Sequence, residues 1–369
     1  MSEFNHQRAK ELIDNLKRDG FSALLLFPGP NIGYYTGFNI GLSERPAVAL
    51  IPMEGDPIFI VNQLEEELRG LNPWFTEKGV WLEHEDPIRI IAETMKKRGL
   101  GSAKIGIPEE APWGWVSKLQ AALPDARLID ASEQIGYTRM VKTPQELDWV
   151  RMACHIADRA LELGFSKLHT GMTEAELSEI LTSEMRRLGG GQSFPGVLFG
   201  ERAALPHGYP GDRRLKPGEA ILVDMGCTVH GYWSDITRTV FYGEPNKRQR
   251  EIYEIVLKAN KAAFEAVKPG VTCESVDKAA RKVIEDAGYG KYFIHRLGHG
   301  IGLQIHEYPY IVRKNQQRLE PGMVFSDEPG IYIVGEIGVR VEDTVTCTQT
   351  GCESLTKFKR NLTTYPVKD

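Results

Sequence analysis

Cysteine is scarce: the 369-residue sequence has five, at positions 154, 227, 273, 347 and 352. An odd number at this density argues against a disulfide framework and for a reducing compartment, so we expect a cytoplasmic protein. Cys347 and Cys352 are too far apart for a CxxC pair, and all five read as small packing residues. Long apolar runs are also missing. None approaches the roughly 18 residues that a membrane helix needs. The stretch from Met1 to Arg8 lacks the apolar core of a secretory signal. No membrane partner is expected. Nor is positive charge in excess: 45 Lys plus Arg stand against 50 Asp plus Glu, a formal net charge of −5. Such a chain has no general attraction to nucleic acid, and no nucleic-acid partner is expected. What remains is a globular composition, 41% hydrophobic and 26% charged. At about 150 residues per domain, the length predicts two domains or three.

The first 140 or so residues alternate helical and extended patterns. Residues 6–19 carry Ala9, Leu12, Ile13 and Leu16 at helical spacing. The apolar run Phe21 to Phe27 reads as a buried strand, and further strands are expected at 47–51, 57–61 and 104–107. Helices are expected near 87–99 and 113–122. The whole reads as an α/β domain around a mixed sheet. Trp113 and Trp115, at a helix start, read as half-buried packing rather than as ligand-facing aromatics. The pattern breaks at Tyr137 to Pro144. Thr143-Pro144 is a helix start with proline at the first helical position. The domain boundary is expected in this stretch, dividing residues 1–138 from 139–369.

The second part repeats itself. A helix over about 145–167 runs into Gly171-Met172-Thr173, and a second helix follows, with Thr173 and Glu176 at capping-box spacing. The plan recurs 99 residues later: a helix over about 247–267 runs into Gly270-Val271-Thr272 and another helix. His207 and His306 are also 99 apart. Each half then supplies two carboxylates, Asp224 with Asp235 and Glu328 with Glu342. Ordered matches of this kind predict one site at a pseudo-twofold axis.

Residues 219–229 and 232–242 read as two strands joined by a two-residue His230-Gly231 turn. That register sets Asp224 opposite Thr237, so Asp224 and Asp235 share a face as diagonal neighbours. Two buried carboxylates this close repel strongly; either one is protonated or a cation holds both. In the second hairpin, residues 323–334 and 337–346, a plain two-residue turn would put Glu328 and Glu342 on opposite faces. A three-residue loop, or a bulge at Pro329-Gly330, brings them together. His299 lies in Gly298-His299-Gly300-Ile301-Gly302, whose spacing does not match a dinucleotide fingerprint. One imidazole and four carboxylates suit Mn²⁺, Co²⁺, Fe²⁺ or Zn²⁺. Two such ions about 3.5–4 Å apart can clamp and activate a nucleophile.

At these residues the chain resembles the pita-bread metallopeptidases: prolidases, Xaa-Pro aminopeptidases and, more distantly, methionine aminopeptidases. The motifs are Leu205-Pro206-His207-Gly208, Val223-Asp224-Met225-Gly226, Ser234-Asp235-Ile236-Thr237-Arg238-Thr239 and His295 to Gly302. They continue with His306-Glu307, Glu328-Pro329-Gly330-Ile331-Tyr332 and Val339-Arg340-Val341-Glu342-Asp343. Tyr34-Tyr35-Thr36-Gly37-Phe38 resembles the N-terminal domain of the creatinase and prolidase branch, which methionine aminopeptidases lack.

The resemblance implies an α+β protein with an N-terminal creatinase-like α/β domain (1–138) and a C-terminal, duplicated pita-bread catalytic domain (139–369). It implies two divalent metal ions, with Mn²⁺ favoured over Co²⁺, Zn²⁺ or Fe²⁺. Asp224 would bind one metal, Asp235 and Glu342 would bridge both, and His299 and Glu328 would bind the second. Glu328 would also accept a proton from the attacking water. His207, His295 and His306 would line the substrate site. Arg340 would anchor the metal carboxylates or the product. The expected reaction is hydrolysis of Xaa-Pro bonds at the N-terminus of small peptides, by a homodimer. The alternatives are a same-fold hydrolase or lyase of a small osmolyte-like compound, and a non-catalytic binding protein. One departure bears on substrate length. Many prolidases follow His-Glu-x-Pro with an arginine; here Tyr310 follows Pro309, with Arg313 and Lys314 nearby. Asp327 has no role in this reading, because a regular strand points it away from the metals.

Overall fold

A computed structural model describes residues 3–38, 40–66, 74–75 and 77–368. The chain divides into two units, Met1–Thr138 and Arg139–Asp369. Among the described residues no helix is long and apolar enough to cross a membrane.

The first unit is built on six strands: β1 (Ala23–Leu26), β2 (Val48–Pro52), β3 (Ile58–Asn62), β4 (Glu77–Trp81), β5 (Lys104–Ile107) and β6 (Arg127–Asp130). Their order is β4-β3-β2-β1-β5-β6, with parallel and antiparallel pairs mixed. β1, β2 and β3 are buried throughout, which is why they read as unbroken apolar runs. The helices are α1 (Glu3–Arg18), α2 (Pro30–Thr36), α3 (Pro87–Lys97), α4 (Trp113–Ala122) and α5 (Ser132–Met140). α3 shows the local logic. Asp86 caps the amides of Ile88 and Arg89, Pro87 opens the helix, and Ile88, Ile91, Ala92 and Met95 form its buried stripe. The Tyr34-Tyr35 pair of α2 lies in the core, with the Tyr35 hydroxyl donating to Ile135 O at 3.1 Å. Trp115 packs near Phe27 as a half-buried residue should, but Trp113 is 78% exposed, against the expectation for both. The helix turns it outward, two residues from the packed side.

The second unit opens with α6 (Pro144–Ser166) and α7 (Glu174–Arg187), each started by a threonine capping box, Thr143 with Glu146 and Thr173 with Glu176. The strands β7 (Ser193–Phe199), β8 (Glu219–Val229), β9 (Tyr232–Trp233) and β10 (Ile236–Tyr242) follow. Then come α8 (Lys247–Ala266), α9 (Cys273–Asp286), β11 (Gly298–Gly300), β12 (Glu307–Ile311) and β13 (Val324–Asp327). The chain ends with β14 (Gly330–Ile333), β15 (Ile337–Arg340), β16 (Asp343–Cys347), β17 (Cys352–Ser354) and β18 (Thr364–Tyr365). One sheet runs β18-β10-β8-β7, with β9 on β8; the other runs β12-β11-β13-β16-β17; β14 and β15 pair separately.

The repeat seen in sequence is a repeat of bonds. Gly171 N donates to Leu215 O at 2.9 Å, and Gly270 N to Leu319 O at 2.8 Å. Arg214 Nη1 donates back to Gly171 O at 2.8 Å, and Arg318 Nη1 to Gly270 O at 2.6 Å. All five cysteines are free thiols. Cys347 and Cys352 face each other across β16 and β17.

Two expectations about the hairpins meet different outcomes. The second hairpin has the three-residue loop, because Ile333 pairs with Ile337 across Val334-Gly335-Glu336. The first does not form one continuous strand over 232–242. Ser234 N still donates to Cys227 O at 2.9 Å, but the strand is interrupted at Asp235 and resumes at Ile236, opposite Met225. Its backbone crosses so close to Gly226 that a Cβ there would lie 1.9 Å from Ser234 O. Glycine at 226 is therefore a steric requirement of the break.

Candidate metal centre and substrate cleft

The break in the first hairpin meets a break in the second. Asp235 leaves its own ladder and bonds instead to one hydroxyl of β16: Asp235 N donates to Thr344 Oγ1 at 3.0 Å, and Thr344 Oγ1 donates to Asp235 O at 2.7 Å. Thr239 does the same for the other half. Arg340 N donates to Thr239 Oγ1 at 3.1 Å, and Thr239 Oγ1 donates to Arg340 O at 3.0 Å. Glu342 N donates to Thr237 O at 3.0 Å. Threonine hydroxyls thus stand in for ladder bonds where the two hairpins cross. The crossing brings the carboxylates of both halves together.

Ligand atoms of Asp235, His299 and Glu342 lie within 4.8 Å of one another, and all three residues are buried. Glu328 Oε1 and Asp235 Oδ2 are 3.2 Å and 3.7 Å from His299 Nε2. Asp224 and Glu328 line the same cavity, which measures about 900 Å³. Gly298, just before His299, passes so close to β13 that a Cβ would lie 1.8 Å from Ser326 O. Ser326 Oγ accepts from His299 N at 3.0 Å and donates to Glu328 Oε1 at 3.1 Å, holding the His299 backbone and the Glu328 side chain from one atom.

The electrostatics call for a cation. Burial raises Asp235 well above the usual carboxylate range, and repulsion from Glu342, Asp224 and Glu328 adds to it. Burial likewise raises Glu342, with repulsion from Glu328 and Asp224, and Arg340 opposes only part of this. One oxygen each of Asp224 and Asp235 is buried without a hydrogen-bond partner. The histidine is set for ligation. His299 Nδ1 donates to Gly300 O at 3.1 Å, which leaves Nε2 on the side of the carboxylates. The donor set, one imidazole and four carboxylates, fits divalent cations of the Mn, Co, Fe and Zn class.

A chain of hydrogen bonds leads away from this centre. Arg340 Nη2 donates to Asp224 Oδ2 at 2.6 Å, and Arg340 Nε donates to Thr237 Oγ1 at 2.8 Å. Thr237 Oγ1 in turn donates to Glu342 Oε2 at 2.5 Å. Arg340 Nη1 donates to the Tyr332 hydroxyl at 3.0 Å, and that oxygen lies 2.9 Å from His295 Nε2. Arginine only donates, so Tyr332 gives its proton to His295 Nε2. His295 Nδ1 then donates to Arg296 O at 2.7 Å. Burial holds Tyr332 protonated, raised to about 12. Burial also lowers His295, so its ring is uncharged at neutral pH.

The other predicted residues sit at the edge. His306 and His207 are exposed, and both line the cavity. The His306 ring stands edge-on to His299, centroids 4.1 Å apart. Partial burial lowers His306, with help from His299 and Arg296. Arg313 does not line the cavity; it pairs with Glu285 at the surface. Arg296 does line it, its guanidinium 4.4 Å from the centre of the Tyr310 ring. Sequence reasoning missed Arg296, which stands between His295 and the glycine-rich run. It also gave no role to Tyr332, Thr237, Ser326 or Thr344. Tyr332 and Thr237 carried a signal, since both stand in quoted motifs. Asp327 turns away from the cavity as expected, opposite Asp343.

Known proteins share this arrangement of chain. The profile of Metallopeptidase family M24 matches residues 148–349, and that of the Creatinase/Prolidase N-terminal domain matches residues 8–141. The chain is 38% identical over 350 residues to putative dipeptidase YkvY of Bacillus subtilis (strain 168), covering 94% of this chain and 96% of that one. It is similar in structure to dipeptidase PepE from Mycobacterium ulcerans, with a TM-score of 0.94 and 33% identity over 99% of this chain and 98% of that one. An Xaa-Pro dipeptidase from Bacillus anthracis matches with a TM-score of 0.88 and 33% identity, over 98% of this chain and 100% of that one.

Proposed function

The chain belongs to metallopeptidase family M24 and has the pita-bread fold, and from that premise we propose that it hydrolyses Xaa-Pro bonds at the N-terminus of dipeptides or short peptides. Residues 139–369 are the catalytic domain in this reading, and residues 1–138 the creatinase-like companion. The observation that carries it is the meeting of Asp235, His299 and Glu342 in a cavity where Asp224 and Asp235 each keep an unpartnered oxygen. The Xaa-Pro dipeptidase among the similar structures supports the choice of bond.

Asp224, Asp235, His299, Glu328 and Glu342 would hold two divalent ions, manganese first among the candidates. When bound, such ions supply Lewis acidity that polarises a carbonyl and lowers the pKa of water from 15.7 to about 7. The remaining work belongs to the chain. Glu328, held by Ser326, accepts the proton of the attacking water and hands it to the departing nitrogen. The imino nitrogen of an Xaa-Pro bond is a poor leaving group until it is protonated, and such proton transfer contributes typically about 10²–10⁴-fold. His306 is uncharged at neutral pH, so it serves as a hydrogen-bond donor to the scissile carbonyl. His207, at the rim, closes the same side. His295 ends the chain from Asp224 through Arg340 and Tyr332, its Nδ1 3.9 Å from Glu328 Oε2. Phe194, Ile294 and Ile305 give the cleft an apolar lining suited to proline, and Arg296 offers a cation to a substrate carboxylate.

The test is an assay of Xaa-Pro dipeptides and tripeptides after reconstitution with Mn²⁺ or Co²⁺. Turnover that a chelator abolishes and metal restores is expected. Absence of turnover with every metal overturns the reading.

A further inference from the structure

Helix α9 buries a salt bridge on a face that is otherwise apolar. Its inner stripe is Cys273, Val276, Ala280 and Ile284, and Asp277 and Arg281 lie among them, 0% and 8% exposed. The pair is bidentate: Arg281 Nε reaches Asp277 Oδ2 at 2.9 Å, and Nη2 reaches Oδ1 at 2.8 Å. A buried pair of this kind adds little net stability, because desolvation offsets the attraction. Its remaining valences all go to one loop. Arg281 donates to Phe293 O at 3.0 Å and to His295 O at 2.8 Å, and Asp277 Oδ1 accepts from Leu297 N at 3.1 Å. The guanidinium also stacks 4.0 Å over the Phe293 ring, which meets the His295 ring edge-on at 5.2 Å.

The duplicated scaffold supplies a control. The positions 99 residues earlier are Ser178 and Thr182 on α7. There Ser178 donates a single bond to Pro195 O at 3.0 Å. The strand it meets, β7, is laddered to β8 from Ser193 to Phe199 and has its backbone partners already. The matching segment of the second half, residues 293–297, lies before β11 and outside any strand; its pairing is sparse, with Glu328 N donating to Leu297 O at 3.0 Å. The salt bridge occurs in the half where backbone pairing is sparse, and that is the segment carrying His295.

We infer that Asp277 and Arg281 are positioning residues of the active site, making up for the sparse backbone pairing of residues 293–297 and so fixing His295 against Tyr332. The inference rests on the peptidase reading for its kinetic consequence, but not for its structural one.

The test combines kinetics with hydrogen exchange on the full-length, Mn²⁺-loaded protein. Arg281→Met is expected to lower kcat on an Xaa-Pro dipeptide at least tenfold with metal content unchanged, and Arg281→Lys to lie between it and wild type. In a His295→Ala background the same Arg281→Met change should cost less than twofold more. Losses that multiply in that background overturn the inference, as does a wild-type kcat in Arg281→Met. Asp277→Asn keeps the volume and guards against a variant that fails to fold. In it, exchange at the Leu297 amide should rise at least tenfold while the amides of β8 stay protected. Unchanged exchange overturns the clamp whatever the substrate. A wild type that cleaves no Xaa-Pro peptide overturns the substrate reading and leaves the exchange result to decide the clamp.

Discussion

Glu328 and Glu342 occupy opposed positions in a register that runs unbroken past both, although neither belongs to a strand. Asp327 pairs with Asp343 on one side of them, and Gly330 with Arg340 on the other. Both strands open at the same level, which frees two carboxylates to face the cavity. One residue back, the alternation reverses. Asp343 faces Arg238 at 2.7 Å and Arg360 at 2.6 Å, and these guanidinium groups outweigh its burial and hold it low. Asp327 is raised by burial and by Asp343. The hairpin thus carries two acidic pairs back to back, one for the cavity and one for the interior.

Asp235 is the carboxylate most tightly enclosed by the others. Asp235→Ala should remove bound metal and activity together. Metal content measured on the purified variant by mass spectrometry checks this, and stoichiometric metal in an inactive variant would contradict a bridging role.

Tyr332 links Arg340 to His295 through one hydroxyl. Tyr332→Phe keeps the ring and deletes both bonds. Loss of an outer partner of this kind typically costs about 10–100-fold. We expect a fall of that order in kcat with metal content preserved; a wild-type kcat would remove Tyr332 from the chain.

Arg296 lines the cleft with its charge turned to the Tyr310 ring. A hydrogen bond to a charged group is worth about 1.5–3 kcal/mol. Arg296→Ala should therefore raise KM for a dipeptide by roughly tenfold or more, at about 1.4 kcal/mol per decade. kcat should change little. An unchanged KM would show that the substrate carboxylate lies elsewhere.

Glu307 is buried between Arg139 and Lys142, the latter 2.8 Å away. Burial raises its pKa, but the two cations more than offset this, and the net shift is below its ordinary 4.5. A depressed folded-state value gives stability that is present above pH 4.5 and lost as pH falls through the folded value. Glu307→Gln leaves two buried cations uncompensated, a loss of about 3 kcal/mol. Thermal unfolding at pH 7 should show a Tm about 6–12 °C lower. The gap to wild type should narrow as the pH drops below 4.5. A gap that stays constant down to acid pH would mean the charge is not what matters.

Much of this was legible in the linear chain. Thr143, Thr173 and Thr272 announced their helices because a cap is a local bond, closed within three residues. The spacing of the two hairpins set Asp224 opposite Thr237, as a two-residue turn requires. The need for a three-residue loop or a bulge followed from parity alone, since side chains alternate with a period of two. The broken strand has a remote cause. Asp235 bonds to Thr344, more than a hundred residues away, and nothing within 232–242 encodes that bond.

The sequence by itself determined which residues are candidates for the chemistry and that they come in two matched sets, because periodicity, caps and ligand types are properties of short segments. Only the tertiary structure decided how they act together. Arg340 reaches Asp224 and Tyr332 at once, Asp277 and Arg281 hold a loop with no strand beside it, and Arg296 rather than Arg313 lines the cleft. Each of these is a meeting of different elements, as far apart as the 116 residues between Asp224 and Arg340. Such meetings are fixed by packing and by the demand that every buried polar group find a partner, which no local pattern can express.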